Sequence, residues 1–148
     1  MDLSYQEKSI LGSLITIVVV YGYYFAAVLR DAGQPEFNLG RLVLAVIAII
    51  VIEIVYHIVL AIESKPEPKD ERDILIASKA YRNAYFLLAT GAFLVIACVI
   101  MAGLARDAAP TRIIVTPFIT VNLVLFFMVL AELMKLLTQL FYYRRGLR

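Results

Sequence analysis

The stretch "LVLAVIAIIVIEIVYHIVLAI", residues 42–62, decides the fold. Arg41 and Glu63 bracket it, and inside it only Glu53 and His57 interrupt an apolar run. About 20 apolar residues suffice for a helix to cross the hydrocarbon core of a bilayer, and in lipid only helices and closed barrels satisfy their backbone groups. The run lacks the period-two alternation of a barrel strand, so it reads as a transmembrane helix.

Three further runs have the same character. Residues 9–29 lie between Lys8 and Arg30 without a charge, and residues 83–105 lie likewise between Arg82 and Arg106. Residues 113–143 lie between Arg112 and Arg144 and contain only Glu132 and Lys135 as charges. The whole chain of 148 residues is 62% hydrophobic and 18% charged, with a mean hydropathy of +0.85, far from the balance of a soluble domain. The expectation is an all-α integral membrane protein, a single domain built as a bundle of four transmembrane helices. Its spans are about 9–29, 42–62, 83–105 and 113–143, with a loop at 63–75. The first run is longer than the apolar region of a secretory signal and has no clear cleavage site after "FAAV", so it reads as a retained anchor. The single cysteine, Cys98, lies within the third span and reads as a small apolar packing residue.

The distribution of charge orients the spans. Lys8, Lys65, Lys69, Arg72, Lys79, Arg82, Arg144, Arg145 and Arg148 fall on the side of the termini, against Arg30, Arg41, Arg106 and Arg112 on the other. The positive-inside rule then places both termini in the cytoplasm.

Local signals refine the elements. "SYQE", residues 4–7, is a capping box with Ser4 as N-cap. "YGYYF", residues 21–25, reads as an aromatic belt at the outer interface, and Gly33, Pro35 and Gly40 mark the outer turn. In "KPEPKDERD", residues 65–73, Pro66 and Pro68 favour extended backbone, and Asp70 with Asp73 caps the next helix, which starts well before the hydrocarbon. Lys79 and Arg82 share a face and can snorkel to water. The short "ARDAAPTR" makes the third and fourth spans an antiparallel hairpin, and Pro117 falls in the first two turns of the fourth. "VLRDAG" and "LARDAA" precede the second and fourth spans, each of which carries one glutamate, a weak internal repeat of two parallel hairpins.

Glu53 is close to the middle of its span, and His57 lies one turn away on the same face. An ionised side chain at mid-bilayer costs at least about 2.5 kcal/mol, so it faces a protein interior and has a partner. Glu132 on the parallel fourth span falls at a similar depth, with Lys135 and Gln139 on its face, and Arg82 can reach the same half of the bundle. The expected cluster is Glu53, His57, Arg82, Glu132 and Lys135.

Three readings of the cluster stand. A carboxylate paired with Lys135 or Arg82 can fix helix packing or an oligomer interface. The titratable groups can form a proton, cation or small-solute site in a polar cavity. Glu53, His57 and Glu132 can share a metal ion. No second histidine, HExxH or phosphate-binding glycine loop supports catalysis, so no catalytic residue, metal site or cofactor is assigned. The expected partners are the lipid bilayer, a second copy of the chain, and a cytoplasmic protein held by the 63–75 loop and basic tail. No nucleic acid is expected.

"QEKS" before the first span, "KDERDILI" with "YRNAY" opening the third, and "YYRRG" ending the fourth resemble a family of small four-span prokaryotic membrane proteins of unknown function. Members of that family read EKR-aromatic where this chain has Glu7, Lys8, Ser9 and Ile10, so the first motif matches in part. The resemblance implies a prokaryotic cytoplasmic membrane and a gene beside small helix-turn-helix regulators. It carries over no activity, cofactor or site residue.

Overall fold

The computed structural model describes residues 4–30, 39–64, 68, 70–108 and 116–145. They form four helices: α1 (Tyr5–Arg30), α2 (Leu39–Glu63), α3 (Glu71–Ala108) and α4 (Pro117–Arg145). Each is long and apolar enough to cross a membrane. The chain is thus a multi-pass helical membrane protein.

The caps explain where three helices begin. Ser4 Oγ accepts from the Glu7 amide at 3.2 Å while Glu7 Oε2 accepts from the Ser4 amide at 3.1 Å, a reciprocal capping box. Asp70 and Asp73 repeat the device at α3, with contacts of 2.8 and 3.2 Å. This starts α3 at Glu71, inside the segment assigned to the 63–75 loop, and accounts for its 38 residues. Thr116 caps α4 through the Ile119 amide at 3.3 Å. Pro117 is consequently the first helical residue, where its missing N–H has no intrahelical partner to lose. Gly40, expected to mark a turn, already belongs to the first turn of α2. Gly33, Pro35, Pro66, the second half of "ARDAAPTR" and Arg148 lie outside the described residues.

The packing order is α2, α1, α4, α3. The most extensive contact is the α3–α4 hairpin; α1 packs on α2 and on α4, and among the described residues the backbone of α2 approaches neither α3 nor α4. Both expected hairpins are present. A twofold axis relating them would carry the α1–α4 contact into one between α3 and α2, which is absent, so they do not pack as symmetric halves.

The core lies between α1 and α4, where Ile10 and Ile17 meet Val129 and Leu136. Leu14, Leu125, Leu133 and Leu140 extend this seam. Two glycines allow close approach. A Cβ on Gly12 would collide with the ring of Tyr56, and one on Gly91 with the ring of Phe127. Gly12 thus seats α2 on α1, and Gly91 seats α3 on α4, as small residues do at membrane helix interfaces.

At the end away from the termini, Tyr24 differs from the aromatic belt expected of "YGYYF". It is buried, and its hydroxyl donates to Asn122 Oδ1 of α4 at 2.9 Å, while Asn122 Nδ2 donates to the Phe118 carbonyl at 2.9 Å. Two polar groups in an apolar seam satisfy one another there. Tyr23, its neighbour, is 81% exposed. Cys98 is exposed on α3 rather than packed within the bundle. Much of the apolar surface of α2, including Leu44, Ile47, Ile50, Val55 and Ile62, is also uncovered, as befits a helix with lipid on most of its circumference.

Candidate functional site

Glu53 and His57 point from α2 toward α1 because Tyr56, between them in the helical turn, is seated over Gly12. The Tyr56 hydroxyl donates to the Lys8 carbonyl at 2.6 Å and sets the register of the two helices. In that register Ser13 Oγ donates to Glu53 Oε2 at 2.8 Å and lies 3.4 Å from His57 Nε2. The imidazole Nε2 is itself 3.2 Å from Glu53 Oε2. The Ser13 and His57 side chains therefore converge on one carboxylate oxygen. The other, Glu53 Oε1, is buried and has no hydrogen-bond partner among the described residues.

Glu132 and Lys135 form an ion pair within one turn of α4. The Lys135 ammonium also lies over the ring of Tyr81 on α3, 5.4 Å from its centroid, a cation–π arrangement. Near the end of the same helix the Tyr143 hydroxyl donates to Asp73 Oδ1 at 2.7 Å, tying the last turn of α4 to the capped first turn of α3.

These groups surround a cavity of about 450 Å³ lined by all four helices. Gln6, Ser9 and Ser13 contribute from α1, Glu53 and His57 from α2, Asp73 and Tyr81 from α3, and Glu132, Lys135, Gln139 and Tyr143 from α4. It occupies the half of the bundle nearer the termini. Glu53 is ten residues from the end of α2, roughly 15 Å along the axis at 1.5 Å per residue.

Compared with models of protein families, with curated proteins and with solved structures, the chain matches none.

Four of the five side chains expected to cluster, Glu53, His57, Glu132 and Lys135, line this cavity; Arg82 does not. From α3 it is Tyr81, itself 61% exposed, that borders the cavity, and its neighbour Arg82, about 100° around the helix, is exposed away from it. Lys135 pairs with Glu132, while Glu53 has a hydroxyl and an imidazole rather than a lysine or arginine. The metal reading finds no geometric support, since no three His, Cys, Asp or Glu side chains among the described residues are placed to hold one ion.

Sequence reasoning passed over the α1 wall. Gln6, Ser9 and Ser13 recur at helical spacing through the start of an apolar span, a polar stripe readable without coordinates. Tyr81, Asp73 and Tyr143 carried no such signal, because aromatic and acidic residues near a span's end fit the interface equally well.

Electrostatically the cavity favours cations. Three carboxylates, Glu53, Glu132 and Asp73, face one ammonium and one imidazole. Hydroxyls and amides supply further acceptors. Such a site can bind a positively charged or hydrogen-bonding solute and can exchange a proton at a carboxylate or imidazole.

Proposed function

We propose that this chain is a small binding or permeation module for a proton, cation or small polar solute, held in a prokaryotic cytoplasmic membrane with both termini in the cytoplasm. The observation that carries the reading is Glu53, a carboxylate in the lining of a polar cavity, whose Oε1 is buried without a donor among the described residues. A buried acceptor left unmatched costs about 1–3 kcal/mol, more for a charged group, and a bound proton or cation removes that cost. His57 and Ser13 hold the other oxygen and so orient the carboxylate. Glu132 and Lys135 supply a second charged pole across the cavity. Nine basic side chains on the side of the termini against four on the other support the orientation. Self-association through the uncovered face of α2 belongs to the same proposal, since among the described residues α2 packs within the bundle on α1 alone.

Glu53→Gln preserves shape and removes the charge. In liposomes containing the purified protein, with proton and potassium fluxes followed by an entrapped pH indicator and a potassium electrode, the substitution should abolish the protein-dependent flux. Unchanged flux accompanied by loss of self-association would instead assign Glu53 to assembly and sink the proposal.

A further inference from the structure

The two carboxylate poles of the cavity are in different states. Glu132 already has an organic ammonium, the side chain of Lys135, which also lies over the Tyr81 ring. Lys135 is thus the chain's own demonstration that this cavity accommodates an alkylammonium beside a carboxylate and an aromatic ring. Glu53 has no such counterpart. One of its oxygens is held by Ser13 and His57, and the other is buried without a donor.

Resting on the cation-site reading above, we infer that the occupant of the Glu53 pole is a small organic ammonium ion. Size and ligand geometry both favour it over a bare ion. The cavity, at about 450 Å³, is in the range of small-molecule pockets, about 300–1,000 Å³. A hard metal cation demands six or more oxygens in a shell, and the described residues bring no three metal-binding side chains together. An ammonium needs only a few acceptors in separate directions, and the Glu53 carboxylate, with Gln6 and Ser9 lining the same cavity, offers oxygens of that kind. Its apolar substituent has a place as well. Among the described residues no backbone contact joins α2 to α3 although both line the cavity, and the side chains of His57 and Glu132 are each 44% exposed, so the cavity is open to one side.

A primary amine on a free solute and the amine headgroup of a lipid share this chemistry. The test uses the full-length protein in phosphatidylglycerol nanodiscs, titrated with benzylammonium and, as the uncharged counterpart, benzyl alcohol, by ligand-observed NMR against empty discs. Saturable binding of benzylammonium alone is expected, weakened at least tenfold in Glu53→Gln and less in Glu53→Asp, which retains the charge. Helical content measured by circular dichroism confirms that the variants fold. Repeating the titration in discs containing phosphatidylethanolamine identifies the source. Loss of benzylammonium binding there points to a lipid headgroup, and unchanged binding to a free amine. Proton or potassium flux that depends on Glu53, together with benzylammonium binding that ignores Glu53 or equals that of benzyl alcohol, would overturn the ammonium inference and leave the broader reading intact. If neither flux nor binding depends on Glu53, both fall.

Discussion

Glu53 shows how a single side chain can be placed by several weak constraints. Its depth follows from the apolar run that surrounds it, and its direction from Tyr56 over Gly12. Its charge is half matched, through Ser13 and His57 on one oxygen. Ser13→Ala removes the donor and should lower stability by about 0.5–1.5 kcal/mol, the usual net value of one such bond, as measured by unfolding in mixed micelles. It should also lower Glu53-dependent flux across the pH range, because the carboxylate loses the hydroxyl that orients it. A variant with wild-type flux at every pH would show that Ser13 does not orient the acid. At the opposite pole, Lys135→Met removes the internal ammonium and leaves Glu132 open. Benzylammonium should then bind at two equivalents per chain instead of one, and a stoichiometry still at one would show that Glu132 cannot use an external ammonium.

At the scale of helices, glycine positions decide which pairs are intimate. Gly12→Leu places a side chain where the Tyr56 ring lies and should destabilise the α1–α2 contact by about 1–3 kcal/mol, the usual cost of overpacking. Gly91→Leu meets Phe127 and should loosen α3 from α4 by a similar amount. Gly22 is the control. A Cβ there meets nothing within 4 Å, so Gly22→Ala should unfold at the wild-type detergent midpoint or slightly above it. The consequences of the first two should differ in kind. Within the described residues α2 is seated by α1 alone, so Gly12→Leu should also abolish Glu53-dependent flux, whereas Gly91→Leu leaves the Ser13–Glu53–His57 contacts in place.

For the molecule as a whole, the proposed orientation, with both termini in the cytoplasm, rests on the charge bias between the two ends of the described helices. In a Cys98→Ser background, single cysteines placed before Ser4 or after Arg145 should resist a membrane-impermeant maleimide in intact cells. One placed in the 31–38 connection should react. The reverse pattern would invert the topology and put the cavity's half of the bundle on the outer side.

The helices were legible in the sequence because what makes them is local. Apolar runs of sufficient length, the boxes at Ser4–Glu7 and Asp70–Asp73, and a proline that fits a first turn all depend on neighbours within about four residues, and Glu53 stood out because a charge amid aliphatic residues is costly wherever the helix is placed. Which helices touch was not legible. The order α2, α1, α4, α3 depends on where Gly12 and Gly91 admit a ring, and in a uniformly apolar span many faces would serve equally well. The same limit applied to the site. Four of the expected side chains share a cavity because α1 joins α2 to α4, while Tyr81 rather than Arg82 faces it because of the way α3 is rotated against α4. The sequence by itself determined the membrane, the four spans and the residue that demands a partner; the tertiary structure alone decided that Ser13 and His57 meet one of its oxygens and that the other is buried without a donor among the described residues, because those distances are set by contacts between residues about forty positions apart or by a turn seated from another helix.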